Sequence, residues 1–362
     1  MEAISLSEPT EHPYSGTKPV SGQHAFDLGQ LQRYLSSRME GWAGTTECVQ
    51  FRGGQSNPTF LLSTDHKQYV LRRRPAGALL PHAHAIDREF RVTAALLPTV
   101  VPVARPLLYC DDPAVIGSAF YLTDYVAGRV FWDPALPGLT APERGAIYDE
   151  ANRVIAALHS IDPVSIGLAD YGKSGNYFER QIARWSKQYR GSQTTDIAAM
   201  DHLMDWLPRH VPVDDECRIV HGDFRLDNMI FDPVEPRVLA VLDWELSTLG
   251  NPLADFAYHC LAWHLMPSEL RGIAGADLEA LGIPDEQTYL ATYSRRVGRA
   301  AVGPTIWRFC VAFGLFKVAA ILQGVMKRAL EGSASNANAL SAGARTGAVA
   351  ERSWRVANGD SD

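Results

Sequence analysis

The segment His221-Gly222-Asp223-Phe224-Arg225-Leu226-Asp227-Asn228 sets an imidazole, a guanidinium, two carboxylates and a carboxamide on one short stretch. Short strand-like runs bracket it, Arg218-Ile219-Val220 before and Met229-Ile230-Phe231 after. Asp232-Pro233 opens a turn, and Arg237 to Leu242 reads as a buried strand ending at Asp243-Trp244-Glu245. The pattern confines this part of the chain to a hairpin that carries Asp223 and Asn228 at one end and returns Asp243 beside them. Phosphoryl transfer from a nucleotide needs such a set. One carboxylate orients a hydroxyl and accepts its proton, while an Asn and an Asp hold Mg²⁺ against the phosphates. Carboxylate and amide oxygens suit that hard cation. The competing reading is a polar turn in which Asp223 or Asn228 caps local backbone.

Upstream, Cys48 to Arg72 reads as strands joined by turns, one of them Phe51-Arg52-Gly53-Gly54-Gln55-Ser56-Asn57-Pro58-Thr59-Phe60. Gly53, Gly54, Ser56 and Asn57 are candidates to approach phosphate, because glycines and small polar residues expose backbone N–H groups. Most glycine-rich hairpins bind nothing, and the chain has no Gly-x-x-x-x-Gly-Lys-Ser/Thr, so a P-loop is excluded. Alternation along Tyr69-Val70-Leu71-Arg72 puts Val70 and Arg72 on one face. A helix is predicted from about His84 to Leu97, with a stripe of Ile86, Phe90, Ala94 and Leu97 and with Glu89 one position off it. Pro102 to Asp124 reads as a hairpin around Asp111-Asp112-Pro113, and Gly128 reads as a joint after Phe120 to Val126. Beyond it helices are predicted around Ile147–Leu158, over 177–190 and over Phe313–Leu330. Gly332 to Gly347 reads as a loop, followed by a short helix near Ala350 to Val356.

These motifs together resemble the aminoglycoside phosphotransferase and choline kinase-like family, relatives of the protein kinases. The spacing His-x-Asp-x-x-x-x-Asn is that of a kinase catalytic loop with Gly222 in place of Arg, and Asp243-Trp244-Glu245 replaces Asp-Phe-Gly. Gly250-Asn251-Pro252-Leu253-Ala254-Asp255 is similar to the family's next motif. The resemblance covers about residues 25 to 335 and implies an α+β, two-lobed protein-kinase-like fold. Its lobes would be an antiparallel-sheet lobe over residues 25–126 and a mainly helical lobe over 127–362, after a flexible leader over 1–24. It implies Asp223 as catalytic base, Asn228 and Asp243 as magnesium ligands, and His221 and Asp255 as structural supports. It also implies Arg72 at the position of the phosphate-binding Lys, paired with Glu89, and the backbone of Asp124 and Val126 at the adenine edge. The cofactors implied are ATP and Mg²⁺, and the reaction is transfer of a γ-phosphate to an alcohol.

Within the family the phrases Phe-Arg-Gly-Gly-Gln-Ser-Asn-Pro-Thr (51–59), Asp-Arg-Glu-Phe-Arg-Val (87–92), Glu-Arg-Gln-Ile-Ala-Arg-Trp (179–185) and Ile-Leu-Gln-Gly-Val-Met-Lys-Arg-Ala-Leu (321–330) resemble kinase domains linked to acyl-CoA dehydrogenases. That implies a hydroxyacyl-CoA as acceptor and a functional link to such a dehydrogenase. Alternatives stay open: an aminoglycoside, choline or sugar kinase, or a nucleotide-binding pseudokinase. A flavin dehydrogenase has no motif to support it.

Net charge of −7 argues against general nucleic-acid binding. Residues 290 to 356 nevertheless hold ten Lys or Arg against two acids. They read either as a solvated face with internal ion pairs or as a basic wall for an anionic substrate, with Arg295, Arg296 and Arg299, beside Arg184 and Trp185, as candidate substrate residues. No segment reads as a membrane span or a secretory leader, so a cytoplasmic protein acting on a small molecule is expected. Five scattered cysteines without Cys-x-x-Cys read as reduced thiols. His82, His84, His259 and His264 lack metal-ligand spacing.

Overall fold

The computed structural model describes residues 16–20, 22–42, 44–45, 47–52, 57–75, 85–213, 216–332 and 338–360. The chain divides into two units, one of residues 1–90 and 105–125 and one of residues 91–104 and 126–362. The second unit thus takes in a segment, 91–104, that falls inside the range 25–126 read above as one lobe.

The first unit is a six-stranded antiparallel sheet of β1 (Thr17–Lys18), β2 (Glu47–Phe51), β3 (Thr59–Ser63), β4 (Gln68–Arg73), β5 (Pro106–Cys110) and β6 (Phe120–Asp124), in the order β1-β2-β3-β4-β6-β5. Helix α1 (Leu28–Arg38) starts at Asp27, whose carboxylate accepts from the Gln30 N–H and satisfies a first-turn donor. Its Leu31 and Leu35 join Phe60, Leu62, Leu71, Phe120 and Leu122 in one apolar core. A one-turn helix, α3 (Pro113–Ile116), closes the connection between β5 and β6.

Two readings are corrected here. The leader over 1–24 is not wholly loose, since Thr17 and Lys18 pair with Phe51 and Gln50 as an edge strand, residues 1–15 lying outside the described residues. The helix α2 (Ile86–Leu96) buries Ile86, Glu89, Val92, Thr93 and Leu96, while Ala94 and Leu97 are exposed. Its inward stripe is therefore rotated by about one residue, because Glu89 has a buried partner and the run Val92 to Leu97 is apolar enough to suit either register. Arg73 follows Arg72 at the end of β4. It is 3% exposed, lies over the rings of Phe26 and Phe60, and donates to the Ile116 carbonyl at 3.2 Å.

The second unit contains α4 (Ala141–Ser160), α5 (Tyr177–Ser192), α6 (Ala198–Trp206), α7 (Pro252–His259), α8 (Leu261–His264), α9 (Leu278–Leu281), α10 (Glu286–Arg296), α11 (Pro304–Leu330), α12 (Ala339–Gly343) and α13 (Thr346–Asn358). Two small sheets, β7 (Arg218–Val220) with β10 (Thr248–Gly250) and β8 (Met229–Phe231) with β9 (Val238–Val241), complete it. Helix α11 begins nine residues before the predicted Phe313, at Pro304, whose fixed φ and missing N–H suit a first helical turn. It is long and apolar enough to cross a membrane, contrary to the reading that no segment approaches a span, yet 83% of its apolar window is buried within the protein. It packs on α5, α7, α12 and α13 as the core of this unit. The predicted loop over 332–347 contains α12, and the predicted short helix is the thirteen-residue α13. Gly128 is no free joint. A Cβ there would lie 2.2 Å from the Phe231 carbonyl, so the glycine permits Arg129 and Phe231 to exchange backbone bonds at 2.8 Å.

Candidate active site

The hairpin read from the sequence forms. Met229 pairs with Val241, and the Leu242 N–H donates to the Asn228 carbonyl at 2.8 Å, which sets Asp243 next to the end of the loop that holds Asn228. The His221 ring, fully buried, lies 2.8 Å from the Leu242 carbonyl and ties loop to strand a second time. Asp243 itself adopts φ 63°, ψ 58°. Left-handed backbone is uncommon outside glycine and costs on the order of 1–3 kcal/mol, so this carboxylate is held in place by the surrounding structure.

Asp223 is the centre of the loop. Asn228 Nδ2 donates to its carbonyl at 2.9 Å and to its Oδ2 at 3.0 Å, and Arg225 Nε lies 3.2 Å from its Oδ1. Burial first, with the Asp223 charge second, pushes the Tyr258 phenol well above its ordinary pKa. With the Asn228 amide nitrogen turned to Asp223, its oxygen is the atom left to face a cation. Asn228 Oδ1 and the Asp243 carboxylate are both hard oxygen donors and fit Mg²⁺, which takes one or two such groups and completes its shell with water and phosphate. Among the described residues no group of three His, Cys, Asp or Glu could hold a metal.

Gly222 is dictated by geometry. Its φ is +84°, and a Cβ would lie 2.7 Å from the Leu246 carbonyl, which leaves no room for another side chain in this loop. Asp255, in the first turn of α7, accepts from the N–H groups of His221 at 2.6 Å and Gly222 at 2.7 Å. His159 Nε2 lies 3.2 Å from the same carboxylate. Burial alone would raise the Asp255 carboxyl, but the His159 hydrogen bond and charge, with those of His221, hold it below its ordinary value.

In the first unit the predicted ion pair is present. Arg72 Nε lies 3.0 Å from Glu89 Oε2, with both side chains largely buried. Glu89 also accepts from Asn57 Nδ2 at 3.0 Å and from the Tyr121 hydroxyl at 2.9 Å. Asn57, read as a phosphate-loop residue, is fully buried and serves Glu89 instead. Gly53, Gly54 and Ser56 lie outside the described residues. The Asp124 side chain pairs with Lys67 at 2.7 Å, and its N–H is taken by the Arg105 carbonyl at 3.0 Å. The Asp124 N–H is therefore occupied, and of its backbone groups the carbonyl is the one that could meet a ligand edge.

Of the two readings of the basic segment, internal ion pairing is present at several positions. Arg296 makes a two-bond pair with Asp149 at 2.8 and 2.9 Å and also donates to Asn152 Oδ1. Arg299 pairs with Glu216 at 3.3 Å, Lys327 with Glu331 and Arg352 with Glu269. Arg295 donates to Thr292 on the helix surface. Arg296, Arg299, Lys327 and Arg352 are thus matched by acids within their own unit, whereas Arg295 has a hydroxyl partner. Arg184 lies over the ring of Trp185, which is 4% exposed.

The sequence reading missed a cavity of about 160 Å³ beside the loop, walled by Phe131, Trp132, Leu226, Trp263 and Val318 among others. Its polar lining includes Arg225, Asp227 and Arg271. Asp227 is paired with both arginines, and Arg271 also lies over the Trp132 ring at 5.0 Å. Only the two polar positions inside the loop motif, Arg225 and Asp227, hinted at it. Trp132 and Arg271 carry no local signal.

Comparison with known proteins follows the same lines. The model of the phosphotransferase enzyme family matches residues 47–292. The chain is 45% identical over 360 residues to acyl-CoA dehydrogenase family member 10 of Mus musculus, covering 99% of this chain and 33% of that protein. It is 44% identical over 323 residues to acyl-CoA dehydrogenase family member 11 of Homo sapiens, covering 88% of this chain and 41% of that one. The chain thus spans well under half the length of these relatives. A crystallised protein of Ralstonia eutropha JMP134, described as a candidate aminoglycoside phosphotransferase, superposes with a TM-score of 0.84 at 54% identity, covering 93% of this chain and all of that one. The aminoglycoside phosphotransferase APH(4)-Ia, in a ternary complex with AMP-PNP and hygromycin B, gives 0.58 at 16% identity over 89% and 98% of the two chains. The fold is kinase-like and α+β.

Proposed function

Because the chain belongs to the phosphotransferase enzyme family, we propose that it is an ATP-dependent kinase whose acceptor is the hydroxyl of a largely apolar anion, a hydroxyacyl-CoA being the leading case. The observation that carries the transfer is the arrangement around Asp223. Its carboxylate is steered by Asn228 and Arg225 on a loop anchored by Asp255, as suits a base that takes a hydroxyl proton. Asn228 and Asp243 would hold Mg²⁺, whose charge offsets that of the phosphates. Arg72, fixed by Glu89, is assigned to the phosphates, a role in which a guanidinium can serve for the usual ammonium. We expect Arg72→Ala to raise the KM for ATP about tenfold or more, the worth of roughly one charge-assisted hydrogen bond, with Arg72→Lys much milder. Steady-state kinetics check this, and an unchanged KM in Arg72→Ala would remove Arg72 from the site.

The acceptor class is supported by the cavity. Its aromatic and aliphatic walls fit an acyl chain, and its two arginines outnumber its one aspartate. A polycation such as an aminoglycoside wants the opposite balance. The relatives' names point the same way. ADP release measured across hydroxyacyl-CoAs, aminoglycosides, choline and sugars tests the reading. Turnover with hydroxyacyl-CoAs and none with kanamycin-type cations is expected. The reverse pattern would sink the acceptor assignment, and no turnover with any hydroxylated acceptor, in a protein that binds ATP, would favour a pseudokinase.

A further inference from the structure

Lys317 lies in the middle of α11, where Phe313 to Ala320 are all buried, and is itself 7% exposed. An ammonium in apolar surroundings is costly unless it is held. Three contacts hold it. Its Nζ donates to the Gly222 carbonyl. It also lies 4.3 Å from the centre of the Tyr258 ring and 5.6 Å from that of Trp185, where the ring faces attract a cation. Burial pulls its pKa down to about 8, against the Asp223 and Asp255 carboxylates, which favour the charged form.

The bond to Gly222 closes a grip on the loop. Asp255 takes the N–H groups of His221 and Gly222, Lys317 takes the carbonyl of Gly222, and His221 Nδ1 lies 3.2 Å from the Asp223 nitrogen, which donates to it. Peptide groups on both sides of Gly222 are thereby fixed at the one loop residue with φ beyond +80°. Asp223 follows directly. Tyr258, whose ring carries the ammonium, also responds to the Asp223 charge, which raises its phenol further.

We propose that Lys317 is a positioning residue for Asp223, fixing the Gly222–Asp223 peptide from the core helix so that the carboxylate is presented in a single orientation. The proposal rests on the reading of Asp223 as the base. The test compares Lys317→Met and Lys317→Arg in the wild-type and Asp223→Asn backgrounds, with thermal melting of each. Lys317→Met is expected to lower kcat about 10²-fold, the usual cost of misplacing a reacting group by an ångström, with the KM for ATP changed less than about threefold. Lys317→Arg, which keeps a charged donor, should recover about tenfold of that loss. With Asp223→Asn already present, Lys317→Met should cost less than about threefold more, since the two residues act as a unit. If Lys317→Met does not fold, Lys317→Gln is read in the same two backgrounds with the same non-additivity expected. Equal losses in both backgrounds, or a folded Lys317→Met with wild-type kcat, would overturn the proposal alone. Full turnover in Asp223→Asn would overturn the reading of Asp223 and the proposal with it.

Discussion

Asp223→Asn is expected to lower kcat by about 10²–10⁴ while nucleotide affinity changes little, because an amide keeps the shape of the side chain and cannot accept the hydroxyl proton. The surroundings sharpen the expectation. One carboxylate oxygen accepts from Asn228 Nδ2 and the other faces Arg225 Nε. An amide has one acceptor oxygen, so one of these donors would meet an NH₂ group instead. The loop should nonetheless stay in place, since its main anchors are the bonds from His221 and Gly222 to Asp255 and the His221 ring to the Leu242 carbonyl. Single-turnover transfer and equilibrium binding of an ATP analogue, measured on the same preparation, separate chemistry from binding. A variant that loses nucleotide binding as well as turnover would make Asp223 a structural residue, and one with normal turnover would remove the base from the mechanism.

The parts of this site that were legible in the sequence are those whose geometry is local. Asp223, Asn228 and Asp243 lie within 21 residues, joined by two short strands, so spacing and a turn signal suffice to bring them together. Gly222 was legible as a departure from the kinase pattern, and its reason, the Leu246 carbonyl under its missing Cβ, appears only in three dimensions. The ion pair of Arg72 with Glu89 was reached through resemblance, whereas periodicity placed Glu89 off the buried stripe. What stayed hidden depends on partners far along the chain. Arg296 reads as surplus positive charge until Asp149, 147 residues earlier, is set against it. Lys317 has its signal in plain view, a single charge inside an apolar run, but its partner Gly222 is 95 residues away. A composition count cannot tell a buried, bonded ammonium from an exposed one, and both readings of the basic segment stayed open for that reason.

Asp255→Ala is expected to destabilise the protein by about 3–5 kcal/mol, the range for breaking a buried charged pair. The carboxylate is 2% exposed and receives two backbone N–H groups and one imidazole. Alanine leaves all three donors buried without an acceptor, each at about 1–3 kcal/mol before relaxation, so the loop must unbend or admit water. Asp255→Asn should be milder, because one oxygen still accepts while the amide nitrogen opposes an N–H. The pH dependence has a definite sign. The folded Asp255 carboxyl is held below its ordinary value of 3.8, so its contribution is complete above that pH and fades as the pH falls through the folded value. The gap in unfolding free energy between wild type and Asp255→Ala should therefore be constant near neutrality and narrow below about pH 4. Denaturant melts at a series of pH values measure it. A gap under about 1 kcal/mol at neutral pH, or one that widens in acid, would mean that Asp255 does not hold the loop through its charge.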